Sequence, residues 1–542
     1  MKPNVIWKGL LFTIPAGLIL AALLSLTQPG SWVLGWLAFS ALLAPGLFLL
    51  IILWRWAGAG RTLFWLTLAA LVLRIGAGAA LEQVLPAAGS GSETQAAGYA
   101  FYDAYHRDTQ AWALASSGQP LWLAFSKSYS MDQYGGLLGL SAAAYRGLSP
   151  DAHRPLLVIV LAALFAAAGI PLAWKASRLA WGEGMAAPVA LILAVYPESV
   201  LQGSAQMREP FLITFVVMSF LGAAEWRSAP RRAWAWLAAG FAGMLLFSPG
   251  VAIFTLVILA GWLWLRGRFD FPYGDNVAQR GRRIPWRAVL TGAGVLALAL
   301  VLLWAGLARG NLAGRPPLEV LTSWLRFSSQ WDIHLLEKNS GWVQKLFEEM
   351  PAWLQLPFVI LYGLARPVLP AAIVDSTWWP WKIIEILRAA GWYALAPFLV
   401  YSLVAIFRSP KQRRLAWLWL WMASWAWSIL SAIRAGADDW DNPRYRVMFL
   451  LLQAALAAFA WTRSRSERDP WLGRILLVEG IFLAFFTEWY LSRYTGAFGK
   501  LPFGVMVACI LALGGLVILG GWWRDRQKAS RESKPKMKRS KL

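Results

Sequence analysis

Residues 154–173 read RPLLVIVLAALFAAAGIPLA, nineteen consecutive uncharged, almost wholly apolar positions after one arginine. An amphipathic helix of a soluble protein would place polar residues on one face of such a stretch. None appear here, and the length suits a bilayer core about 30 Å thick. Similar runs occupy roughly 5–27, 32–54, 62–81, 184–197, 209–225, 233–248, 250–265, 288–307, 383–407, 415–433, 446–462, 471–489 and 501–522. With 154–173 they predict about 14 transmembrane helices in an all-α polytopic integral membrane protein. The first run lacks a small-residue cleavage site and is too long for a signal-peptide core, so it is read as a helix.

Composition agrees. Hydrophobic residues are 58% of the 542 and charged residues only 15%, against about 45–50% and 25% in soluble domains. A soluble enzyme and a disordered chain are excluded, and unbroken runs argue against a membrane β-barrel, whose strands alternate. The single cysteine, Cys509, excludes an intrachain disulfide and makes a cysteine-based zinc or iron–sulfur centre implausible.

The net charge of +23 would fit nucleic acid, but its distribution points elsewhere. With the N-terminus inside, the inner loops carry Arg55 and Arg61; Lys175 and Arg178; Arg227, Arg231 and Arg232; six arginines between 266 and 287; Arg408, Lys411, Arg413 and Arg414; and Arg463, Arg465 and Arg468. A basic tail follows, expected to be a disordered cytoplasmic segment over 523–542 after a transmembrane domain over 1–522. Every strongly basic segment falls on one side, as the positive-inside rule requires. Both termini are therefore expected in the cytoplasm, and the excess charge is assigned to membrane lipids, not nucleic acid. The opposite side has two long loops, 82–153 and 308–382, expected to bear amphipathic helices and holding all three histidines. Within the second, 353–373 is read as a helix pair or re-entrant segment, because Pro367 and Pro370 oppose a plain crossing. Arg74 is read as the only strongly intramembrane charge, paired with Glu82 or a lipid phosphate.

Three outer segments hold candidate chemistry. FYDAYHRDTQAWALASSGQP (101–120) contains Asp103 and Asp108 with Tyr105 and His106 between them. A carboxylate at a helix start is favoured by the dipole, so a solvated, capped helix is the plain reading; a general base for an acceptor hydroxyl is the sharper one. VYPESVLQGSAQMREPFLITF (195–215) contains Glu198, Arg208 and Glu209. These form either a local ion pair with a capping acid or part of a pocket for a charged head group. RAGADDWDNPRYRVMFLL (434–451) sets Arg444, Tyr445 and Arg446 after three aspartates. Paired arginines on the outer side bind either lipid head groups or one specific phosphate. A phosphate-binding ATPase loop, a zinc-protease helix and a serine nucleophile elbow are absent. The few intramembrane charges count against an ion-coupled transporter.

These segments together resemble the GT-C superfamily of membrane glycosyltransferases, in particular the branch related to glycosyltransferase family 39 and the lipid A aminoarabinose transferases. The stretch from Asp103 through Tyr105, Ala113–Leu114 and Gly118 is similar to that family's first-loop pattern, with Asp108 as the alternative equivalent. Pro197 to Glu209 resembles the start of a later family helix, and Asn442–Arg446 the late R-Y-R element. The resemblance implies sugar transfer from a polyprenyl-phosphate donor to a glycan, lipid or protein hydroxyl on the extracytoplasmic face of a bacterial plasma membrane. Asp103 or Asp108 would be the base. Arg208, Arg444 and Arg446 would hold the donor phosphate, with Tyr105, His106, Glu198, Glu209 and Tyr445 in support. No cofactor is implied with certainty, and a divalent metal stays open. An O-antigen-type polymerase or ligase and a lipid or oligosaccharide transporter are the alternatives.

Overall fold

The computed structural model describes residues 3–268 and 349–533, except 130, 375–376, 497–498 and 500, with a few positions between 315 and 327. Among these residues there are helices and no strands: this is an all-helical polytopic membrane protein. The first three helices are α1 (Pro3–Ser25), α2 (Trp32–Trp56) and α3 (Arg61–Ala88). The first outer loop follows, with α4 (Glu93–Ala96), α5 (Tyr102–Ser116) and α6 (Gly136–Leu148). Next come α7 (Leu156–Trp181), α8 (Glu183–Val195), α9 (Pro197–Gly203), α10 (Glu209–Glu225), α11 (Pro230–Phe247) and α12 (Pro249–Arg268). After the break in description come α13 (Ala352–Ala365), α14 (Leu369–Val374), α15 (Trp379–Arg408) and α16 (Lys411–Ala435). The chain closes with α17 (Asp441–Val447), α18 (Leu450–Glu467), α19 (Trp471–Tyr494) and α20 (Phe503–Ser533).

Each expected apolar run coincides with a helix, except 288–307, which lies outside the described residues. Eight described helices are long and apolar enough to cross a membrane, or ten if each of two bent pairs is one span. Three differences from the sequence reading matter. The third helix continues to Ala88, so the first outer loop begins later than 82. The 353–373 segment is α13 followed by α14, which at 14 and six residues are each too short for a straight crossing. The last helix runs to Ser533, so the region expected to be a disordered tail begins within it.

Helix α7 is the hub. The apolar window of α7 is 83% buried, against 11% for α19 and α20, and α7 packs on α2, α3, α8 and α10. Its alanines and glycine permit that closeness, since lipid offers no hydrophobic force between helices and small residues let them touch. A Cβ on Gly169 would come within 2.9 Å of Thr214 on α10.

One break shapes the site end. Pro197 cannot donate a backbone hydrogen bond, so α8 stops at Val195 and α9 departs at 54°. That leaves carbonyls at the end of α8 without helical partners. Arg74 supplies the donors: its guanidinium reaches Leu193 O and Ala194 O at 3.0 Å, and Ala70 O and Ser199 Oγ at 2.9 Å. The expected Glu82 pairing is therefore corrected; Glu82 accepts from Gln28 Nε2 at 2.8 Å instead. Unsatisfied buried carbonyls cost about 1–3 kcal/mol each. Arg74→Met should thus lower the melting temperature of the purified protein by several degrees, measured by thermal unfolding in detergent.

At the other end of the bundle, the basic loops find acids and aromatic rings. Arg232 pairs with Glu225 at 2.6 Å and Arg474 with Asp525 at 2.7 Å. Lys175 and Arg232 lie over Trp56.

Candidate active site

The termini of α3, α9, α10, α15 and α17 gather at one end, with the first-loop helix α5 beside them. Arg444 is the centre. Its Nη1 lies 3.1 Å from Asp103 Oδ2 and 3.1 Å from Asp441 Oδ1, and its Nε 3.3 Å from Glu209 Oε1. Three carboxylates from α5, α10 and α17 therefore share one guanidinium. Arg444 is almost fully buried, and Glu209 is completely so, with neither oxygen in a well-formed hydrogen bond. The Asp103 side chain differs: it is 46% exposed.

The local sequence explains that placement. Phe101 caps α5, so Asp103 is the second helical residue and its side chain is not spent on a cap. Phe101 packs edge-on against Trp440, which holds the α5 start against the residues before α17. Asp103 and Arg444 line a cleft of about 420 Å³ whose other walls include Tyr102, Trp378, Trp381, Glu385, Trp440 and Asp441.

Asp108 does not line this cleft. It is buried and accepts from the hydroxyls of Tyr99 and Tyr145, each at 2.7 Å, with His153 Nε2 at 2.9 Å. Burial beside this carboxylate pushes both tyrosine hydroxyls well above their ordinary pKa. The role open to Asp108 is thus to tie α5 to α6 and to the start of α7. Asp108→Ala should strand two buried hydroxyls and destabilise the protein by about 2–4 kcal/mol, measurable by thermal or denaturant unfolding.

Arg446 and Glu198 also lie outside the cleft. Arg446 stacks on Trp392 at 3.6 Å and donates to Arg366 O at 2.9 Å, so both its face and its hydrogens are committed to the protein. Glu198 is buried against Arg388 at 2.5 Å and accepts from Gln202 at 2.7 Å. Arg388 in turn covers one face of Trp440 at 4.4 Å. It is buried ten residues into α15, so Arg74 is not the only charge within an apolar run.

Arg208, at the N-cap of α10, stays available. Its guanidinium rests over Tyr134 at 5.4 Å, and its buried Nη1 has no hydrogen-bond partner among the described residues. Arg107 is its neighbour, buried, donating to Gln206 O at 3.1 Å and facing Asp132 at 3.9 Å. Burial pulls the Arg107 pKa down, and Arg208 adds to that effect. Tyr105 donates to Glu93 at 2.8 Å, His106 packs at a tilt against Tyr102 with ring centroids 4.1 Å apart, and Tyr445 donates to Asp441 at 3.1 Å. These three support neighbours.

Among the described residues no group of three or more His, Cys, Asp or Glu side chains is arranged for a metal ion. The carboxylates of Asp103, Glu209 and Asp441 converge on Arg444.

Sequence reasoning missed Trp378, Trp381, Glu385, Arg388 and Trp440. The three tryptophans are among 36 in the chain, a residue that membrane interfaces enrich, and Arg388 lies inside the apolar run 383–407.

The fold and site together define a helical membrane protein with a charged, aromatic cleft at one end of the bundle. No protein-family model and no curated protein matches the chain. Among solved structures it is similar to the Archaeoglobus fulgidus oligosaccharyltransferase in complex with zinc and sulfate. The TM-score is 0.40 at 14% identity, covering 82% of this chain and 54% of that one. It is also similar to the archaeal oligosaccharyltransferase AglB from Archaeoglobus fulgidus in complex with an inhibitory peptide and a dolichol-phosphate. There the TM-score is 0.32 at 14% identity, covering 84% and 55%. The chain spans about half the length of these proteins, and at such scores the likeness does not bear on function.

Proposed function

We propose that the protein is an integral membrane glycosyltransferase that moves a sugar from a polyprenyl-phosphate donor to an acceptor hydroxyl on the extracytoplasmic face. The observation that carries this reading is the half-exposed Asp103 carboxylate, held by the buried Arg444 at the wall of the cleft. A base needs one oxygen fixed and one free to meet a proton. Arg444 fixes Oδ2, which leaves Oδ1 for the acceptor.

In the reaction Asp103 takes the acceptor O–H proton. The oxygen attacks the anomeric carbon from the face opposite the phosphate, and a new C–O bond forms. The bond from the anomeric carbon to the phosphate oxygen breaks, and its electron pair leaves with the polyprenyl phosphate, so configuration inverts. Arg208 is the cation for that leaving charge, because preorganised positive charge at a developing anion lowers the barrier. Arg444 faces three carboxylates and is a poor phosphate ligand; it positions Asp103. Glu209, buried against its Nε, holds Arg444 in turn. The energy comes from the sugar–phosphate bond, in keeping with the absence of a nucleotide-binding motif.

The test is transfer by purified protein in proteoliposomes supplied with radiolabelled polyprenyl-phosphate hexoses and a mixed acceptor pool. Labelled product of inverted configuration supports the reading. Acceptor-independent movement of intact donor between leaflets, with no product, would favour a transporter.

A further inference from the structure

The cleft beside Asp103 has two features that the transfer chemistry does not require. Its walls are aromatic: Phe101, Tyr102, Trp378, Trp381 and Trp440. Two of these rings, Tyr102 and Trp378, remain more than half exposed although they border a concave site. Trp440 is fixed by three neighbours, with Phe101 and Trp381 edge-on and the Arg388 guanidinium over its ring. Trp381 is fixed by its indole hydrogen bond to Gln95 Oε1 at 3.1 Å. Two rings of the lining, Trp381 and Trp440, are thus held in place, and two, Tyr102 and Trp378, are open.

The second feature is charge. Among the described residues, Asp103, Glu385 and Asp441 line the cleft with a single cation, Arg444. Arg208, the cation suited to a phosphate, is not among the lining residues. An anion would meet three carboxylates in this cleft.

Sugars match both features. A pyranose presents a face of C–H groups, whose positive edges suit the negative face of an aromatic ring, and a rim of hydroxyls that donate to carboxylates and amides. A volume of about 420 Å³ falls in the ordinary range for small-molecule sites.

We propose that this cleft is the acceptor subsite and that the acceptor is a glycan without acidic sugars, its terminal ring stacked between Trp378 and Tyr102. This rests on the glycosyl-transfer reading and narrows its acceptor from glycan, lipid or protein to one class. It also separates the two substrates: acceptor sugar in the acidic, aromatic cleft, donor phosphate beside Arg208.

Saturation-transfer difference NMR on the full chain in nanodiscs tests it with three probes: N,N′-diacetylchitobiose, a uronic-acid disaccharide and a threonine-containing hexapeptide. The proteins are wild type, Asp103→Asn, Trp378→Ala and Tyr102→Ala. The expected result is chitobiose binding to wild type and Asp103→Asn, weakened up to about tenfold by either aromatic substitution, with no signal from the other two probes. Both aromatic residues are largely exposed, so loss of binding in a variant that keeps the wild-type melting temperature is not a folding effect. Absence of chitobiose binding, unchanged binding in both aromatic variants, or preference for the uronic acid or the peptide overturns the proposal. Aromatic-dependent chitobiose binding in a protein whose Asp103→Asn variant still transfers sugar would sink the catalytic assignment and leave the subsite standing.

Discussion

Asp103→Asn is expected to reduce sugar transfer by about 10²–10⁴-fold, the usual contribution of a positioned general base, with little change in melting temperature. The two halves have different causes. An amide cannot accept the acceptor proton, so the chemical step loses its base. The side chain is 46% exposed and contributes one of the three carboxylates around Arg444. Glu209 and Asp441 still hold Arg444 after the change. Rates measured with saturating donor, beside an unfolding curve, check both halves. A large fall in stability alongside the fall in rate would make Asp103 a structural residue.

Arg444→Leu should be far more damaging to the fold. Glu209 is completely buried, and Arg444 is its ion-pair partner at 3.3 Å. Removing one partner of a buried pair leaves an uncompensated charge and costs about 3–5 kcal/mol. Expression and melting temperature should both drop sharply. The double variant Arg444→Leu, Glu209→Leu removes the stranded charge and should recover much of the stability. It should not recover transfer, because Asp103 then lacks the group that fixes its carboxylate. Recovery of both stability and activity in the double variant would show that Arg444 has no part in positioning Asp103.

The helices were legible in the sequence because a bilayer core demands long apolar runs, and thirteen of the expected runs can be checked against described helices. The breaks were harder. The run read as 184–197 passes through Pro197, beyond the end of α8 at Val195, and that Arg74 would reach across from α3 to satisfy the freed carbonyls depends on packing over more than a hundred residues. The site was partly legible. Asp103, Arg208, Glu209 and Arg444 stood out as charges on the side where charge is rare, and Asp103, Glu209 and Arg444 converge. Asp108, Glu198 and Arg446 carried the same signal but turned inward, against Tyr145, Arg388 and Trp392 respectively. Residue type and spacing do not reveal which way a side chain turns when both directions offer partners. The aromatic wall was illegible for another reason: tryptophan is also what a membrane interface selects, so Trp378 and Trp440 looked like their neighbours.

The most direct test is a structure of the protein in lipid with a non-transferable polyprenyl-phosphonate sugar. The expected result places the phosphonate oxygens within hydrogen-bonding distance of Arg208, about 3 Å, and the anomeric carbon facing the cleft that Asp103 lines. A phosphonate bound elsewhere, or an anomeric carbon out of reach of any acceptor oxygen hydrogen-bonded to Asp103, would contradict it.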